Sequence, residues 1–109
     1  MEKKLALRWR PRAQLDKESI AIYLGVEKRS PQAALKMLQN IDETLERLCL
    51  LPDMGGYFAC EKLSNKDYRT VVVKPYIVFC RYDAANLTVY RIIHERFNNN
   101  DYFLIDLED

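Results

Sequence analysis

The stretch TVVVKPYIVFCRYDAANLTVYRIIHERF, residues 70–97, decides how the rest of the chain must be read. It is dense in β-branched and aromatic residues, the side chains that pack best on a pleated surface. Two interruptions divide it. Lys74-Pro75 removes a backbone donor, and Asp83-Ala84-Ala85-Asn86 reads as a turn. The runs they leave, with Asp67-Tyr68-Arg69 added in front, are strands over 67–73, 75–82 and 87–97. Connections this short permit only antiparallel neighbours, so the three strands form a meander.

Working toward the N-terminus, the pattern changes period. QAALKMLQNIDETLERLCLL, residues 32–51, places Ala34, Leu38, Ile41, Leu45 and Leu48 on one helical face, with Met37, Thr44 and Leu51 flanking it. Such a stripe reads as a core-facing surface and not as a cofactor box. Ser30-Pro31 ahead of it has the chemistry of an N-cap followed by proline at the first helical position. A weaker helical pattern over 11–28 carries Ala13, Ile20, Tyr23 and Leu24, begins at Pro11, and is expected to end near Gly25. Two helices with so short a connection pack as a hairpin. KLALRW, residues 4–9, alternates with period two and reads as one more strand. Pro52 and Gly55-Gly56 close the helical half, and YFACEKLSNKD is expected to be a loop.

The expected fold is therefore α+β. A single domain spanning 1–109 has the order β-α-α-β-β-β, with the helical hairpin on one face of a four-stranded antiparallel sheet. The other face should be open. In the second meander strand Tyr76, Val78 and Cys80 point one way, and Ile77, Phe79 and Arg81 the other. In the third, strict alternation groups Tyr90, Ile92 and His94 against Val89, Arg91 and Ile93. Either choice leaves an apolar or aromatic surface with Arg or His at its margin, the composition of a partner-binding face.

Composition narrows the function. The 109 residues carry a net charge of +1 and are 49% hydrophobic, a globular balance. Cys49, Cys60 and Cys80 are odd in number and lack metal-ligand spacing, so reduced thiols in a cytosolic protein are expected, with no metal and no cofactor. The apolar part of MEKKLALRWR is too short for a signal peptide core, and no run approaches a membrane span. Charge is segregated. Residues 1–17 hold six Lys/Arg against Glu2 and Asp16, while 101–109 hold Asp101, Asp106, Glu108 and Asp109 with no base. The net balance is modest for a nucleic-acid binder.

His94 is the one histidine of the chain, set between Arg91 and Arg96. With an ordinary pKa near 6.5 it is suited to proton transfer at neutral pH, and arginine is suited to bracing phosphate. A bland account stands beside this. Arg69 and Arg81 can pair with Asp67, Asp83 or Glu95. Arg91 and Arg96 can form an ordinary cluster with Glu95, and Tyr102 can plug the edge of the core.

Several of these residues fall into a recognisable order. Ala13, Asp16, Ile20 and Tyr23 match an A-x-x-D-x-x-x-I-x-x-Y helix, and Leu48, Pro52 and Gly55 an L-x-x-x-P-x-x-G link. Tyr68-Arg69 with Pro75-Tyr76-Ile77-Val78-Phe79 matches a Y-R…Y-x-V-F strand pair, and Arg91-Ile92-Ile93-His94-x-Arg96 an R-I-I-H-x-R ending. Over about residues 5 to 104 the chain resembles the RelE/ParE superfamily, the toxins of bacterial type II toxin–antitoxin pairs, and within it the ParE-like, plasmid-stabilisation branch. The resemblance implies a toxin silenced by a cognate antitoxin. It implies either a gyrase inhibitor acting by binding, or a ribosome-dependent mRNA endoribonuclease that needs no metal. On the nuclease reading His94, Arg96 and Arg69 are the catalytic candidates, with Arg69, Arg96 and Tyr102 on positions that match the nuclease branch. Tyr76, Phe79, Arg81, Arg91 and Tyr102 are the binding candidates. Two positions basic in the nucleases are Val71 and Ile77 here, which favours DNA gyrase over the ribosome as target. A catalytically inert partner-binding scaffold is the third reading.

Overall fold

The computed structural model describes residues 4–58, 60–63, 67–97, 104 and 107. Strand β1 (Ala6–Trp9) leads into helix α1 (Pro11–Ile22), which widens into a π-helical turn over Tyr23–Glu27. Helix α2 (Pro31–Leu50) follows, then a 3-10 turn at Pro52–Met54 and a short strand β2 (Gly56–Phe58). The meander is β3 (Tyr68–Val73), β4 (Tyr76–Tyr82) and β5 (Asn86–His94), closed by a 3-10 turn over Glu95–Phe97. The Ser30 hydroxyl accepts from the Ala33 N–H at 3.3 Å, with Pro31 opening the helix, so the expected cap is present. Between the helices Arg29 takes a left-handed φ of 53° and lets the chain reverse where glycine would be usual.

The sheet has five strands in the order β1-β5-β4-β3-β2, and not four. The β2–β3, β3–β4 and β4–β5 pairs are antiparallel, whereas β1 lies parallel to β5. These two corrections have one cause. If each element reverses the chain, the order β1-α1-α2-β2-β3-β4-β5 returns β5 to the direction of β1. Omitting β2 from that count makes the same pair antiparallel. The missed strand is only Gly-Tyr-Phe long, too short for alternation to reveal.

The hairpin face follows the expected pattern. Ala34, Ile41, Leu45 and Leu48 of the α2 stripe are buried with Cys49, and Leu38 is half-buried. Ile41, Leu45, Leu48 and Cys49 join Ala13 and Ile20 of α1 and Tyr76, Val78, Cys80, Leu87, Val89 and Ile92 of the sheet in one core. Burial pushes the Cys80 thiol up to about 12, so it is a packing group and not a nucleophile.

The opposite face is not open. Tyr68, Phe79, Tyr90 and Ile93 are buried there with Leu63 from the loop and with Leu104 and Leu107. Strict alternation also fails in β5. Pairing jumps from Phe79↔Arg91 to Cys80↔Val89, so Tyr90 is the extra residue of a β-bulge. Val89 and Ile92 consequently share the helix side, while Tyr90 and Ile93 share the other. The bulge sends Arg91 toward α1.

Among the described residues no helix is long and apolar enough to cross a membrane, and no three His, Cys, Asp or Glu side chains stand together as a metal site.

Candidate functional site

The sequence singles out four arginines of the meander and its end, and the structure gives each a different environment. Arg91 is buried against α1. Its Nε donates to Asp16 Oδ2 at 2.6 Å and its Nη2 to Asp16 Oδ1 at 3.1 Å, a bidentate pair. The same carboxylate accepts from the Ile92 N–H at 2.9 Å and meets Arg12 Nη1 at 3.4 Å. Both Asp16 and Arg91 are 7% exposed. A charge so deeply buried must be matched in place, and here the match ties α1 to β5. Arg91 is thus a structural cation, not a surface contact.

Arg69, also buried, reaches the other end of the sheet. Its Nη1 donates to the Gly55 carbonyl at 2.9 Å and its Nη2 to Asp53 Oδ1 at 3.1 Å. The guanidinium lies 3.8 Å from the Tyr57 ring centroid and 5.8 Å from that of Tyr82, whose hydroxyl also donates to Asp53. Glycine suits position 55, because a Cβ there would stand 3.1 Å from the Arg69 Cβ and press it aside by a few tenths of an ångström. The P-x-x-G link is therefore a loop pinned from beneath by an arginine.

Arg81 pairs with Asp67 at 2.9 and 3.3 Å and donates to the Tyr90 hydroxyl at 3.3 Å. Burial lowers its pKa, but the hydrogen bonds and charge attraction of Asp67 and Tyr90 together raise it further, so it stays charged.

His94 and Arg96 share the remaining corner, where β5 ends. The half-buried His94 accepts from the Arg96 N–H through Nδ1 at 3.2 Å. Its ring stands edge-on to Tyr76, with centroids 5.4 Å apart. Arg96 is exposed. The Tyr76 hydroxyl is pushed up by burial and by Tyr23, with Arg96 pulling the other way. This corner is held by a backbone bond from the Glu95 N–H to the Pro75 carbonyl at 2.8 Å.

Among the described site residues expected from the sequence, His94, Arg96 and Tyr76 are brought together at one corner. Tyr76 is mostly buried in the helix-side core, and Phe79 is buried in the opposite one, so the aromatic open face expected from alternation does not exist. Val71 and Ile77 are half-buried packing residues on either side of the sheet. Tyr102 lies outside the described residues. What the sequence missed are Asp53, Tyr57 and Asp16 as arginine partners. Only Asp16 carried a signal, its place four residues before Ile20 on the buried side of α1.

Residues 7–98 match the family model described as ParE toxin of type II toxin-antitoxin system, parDE. The chain belongs to the ParE toxin family. No curated protein is significantly similar to it. Among solved structures it is similar to a chain of the chromosomal ParDE toxin–antitoxin system from P. aeruginosa, at 22% identity and a TM-score of 0.60. That match covers 84% of this chain and 96% of the other. It is also similar to a chain of the E. coli DinJ-YafQ toxin-antitoxin complex, at 16% identity and a TM-score of 0.53, covering 88% and 98%. At such identities the two likenesses concern the fold, and membership rests on the family match. This ParE-family chain is thus a toxin of the type II class, built on the RelE/ParE architecture.

Proposed function

We propose that this ParE-family toxin arrests growth by binding DNA gyrase in the cytoplasm, without cutting a bond, and that a cognate antitoxin protein masks it. One observation supports the binding mode above the rest. A metal-independent ribonuclease needs cations arranged around phosphate together with a proton donor and acceptor. Here Arg69, Arg81 and Arg91 donate to Asp53, Asp67 and Asp16 of the same chain. Releasing any of them for RNA would leave a carboxylate behind. Val71 and Ile77 add no charge. Antitoxin masking is supported by the family and by the toxin–antitoxin assemblies its structural neighbours come from.

A second reading, ribosome-dependent mRNA cleavage, is favoured by the His94–Arg96–Tyr76 corner, where the imidazole accepts from the backbone N–H of an exposed arginine and stands edge-on to a tyrosine. Induced expression separates the two. On the gyrase reading growth stops, cleaved gyrase–DNA complexes accumulate and mRNA stays intact, with His94→Gln still toxic. Ribosome-phased mRNA cuts lost in His94→Gln would overturn it. Expression without any growth effect would favour an inert scaffold.

A further inference from the structure

The corner between α2 and β2 exposes more large apolar side chains than its size explains. Leu50, Leu51, Met54 and Tyr57 all face solvent within one short stretch, Met54 at 62% and Tyr57 at 75% exposure. Leu50, Leu51, Pro52, Asp53 and Met54 line an open depression of about 400 Å³. Scattered apolar residues need no explanation, but a clustered group on a rigid loop does. Rigidity is supplied by Arg69, which holds the Gly55 carbonyl, the Asp53 carboxylate and the Tyr57 ring together. Loops pinned this way lose little entropy on binding.

We infer that this depression is a socket for a basic side chain of a protein partner, an arginine or lysine flanked by large apolar residues on an extended segment. Three features set that chemistry. Among the described residues Asp53 is the one charged group lining the depression, and its side chain is 80% exposed. Oδ1 takes the bonds from Arg69 and Tyr82, and the exposed carboxylate has a second oxygen with which to accept from another cation. One carboxylate serving two guanidiniums is already present in this molecule, where Asp16 meets both Arg91 and Arg12. The methylene stem of the incoming residue would lie on Leu51 and Met54, and its apolar neighbour on the outer face of Tyr57.

The fold makes an extended occupant the fitting one. β2 is the edge strand of the sheet and pairs with β3 only over Tyr68–Thr70. An edge strand offers backbone groups to an extended segment, while the socket reads its side chains. The inference does not depend on the toxic target.

The test is a selection of short peptides from a random phage library on the full-length folded chain, repeated on Asp53→Asn, Asp53→Lys, Met54→Ser and Tyr57→Ser. The expected peptides carry Arg or Lys beside Leu, Met or Phe. They bind Asp53→Asn and Met54→Ser roughly tenfold more weakly, and the Asp53→Lys selection yields Asp or Glu at the basic position. Circular dichroism confirms that each variant is folded, and Val26→Ser, exposed on the hairpin, serves as the neutral control. Peptides without a basic residue, peptides indifferent to Asp53→Asn and Tyr57→Ser, or no enrichment at all would each overturn the inference.

Discussion

Arg91 and Arg96 stand in one short run, Arg-Ile-Ile-His-Glu-Arg, and have opposite fates. Arg91 is turned by the Tyr90 bulge onto α1 and closes on Asp16, out of water. Arg96 lies past the strand end, exposed, its backbone N–H on His94. Residue type is the same, and nothing local in the sequence separates them. The difference shows that a cation's exposure is set by what the fold carries past it: helix α1 covers Arg91, while Arg96 stays exposed.

That contrast predicts a ladder of stabilities. At the top, Asp16→Ala leaves Arg91 buried with its main partner removed and should cost about 3–5 kcal/mol in denaturant unfolding. A cost below about 1 kcal/mol would mean the pair is not buried in solution. The double change Asp16→Leu with Arg91→Met sharpens the point. It replaces both charges with apolar volume and should recover most of the loss, since a matched buried pair is worth little more than good packing.

Arg69→Met comes next. It removes the pin beneath the Gly55 loop, including a hydrogen bond to a buried carbonyl, and should cost about 2–3 kcal/mol. Amide exchange should accelerate over Pro52–Phe58, while a uniform rise across the sheet would contradict a local role.

Arg81→Met should lose about 1 kcal/mol or less, because Asp67 and part of Arg81 are in water and the pair is screened. Adding salt should shrink the difference further. At the foot of the ladder, Arg96→Ala and His94→Gln should leave stability within about 0.5 kcal/mol of the parent. Whatever they change in growth arrest is then function and not folding.

Thiol chemistry repeats the contrast between buried and accessible groups. Cys80 and Cys49 are buried and Cys60 is partly exposed. Alkylation of the native protein near pH 8 should modify Cys60 first and Cys80 only after unfolding. Early labelling of Cys80 would show that the sheet opens under native conditions.

Much of this was legible before any coordinates. The α2 stripe, the Ser30-Pro31 cap and the three meander strands rest on local periodicity and turn chemistry, which act over a few residues and leave their mark in order along the chain. The motif order Ala13…Asp16…Ile20, Pro52…Gly55 and Arg91…Arg96 carried the family. The sheet edge was hidden because β2 is short, and with it went the parallel direction of β1. The covered second face was hidden because Leu63, Leu104 and Leu107 come from segments without a helical or strand period.

The candidate site divides along the same line. Sequence alone determined which residues bear chemistry, that is, His94 and the arginines, since protonation range and guanidinium shape belong to the side chain itself. Only the tertiary structure decided which of those groups are engaged. Asp16, Asp53 and Asp67 lie 75, 16 and 14 residues from the arginines they meet. Pairing across such separations is set by how helices and strands pack, and a one-residue bulge at Tyr90 is enough to turn a surface cation into a core one.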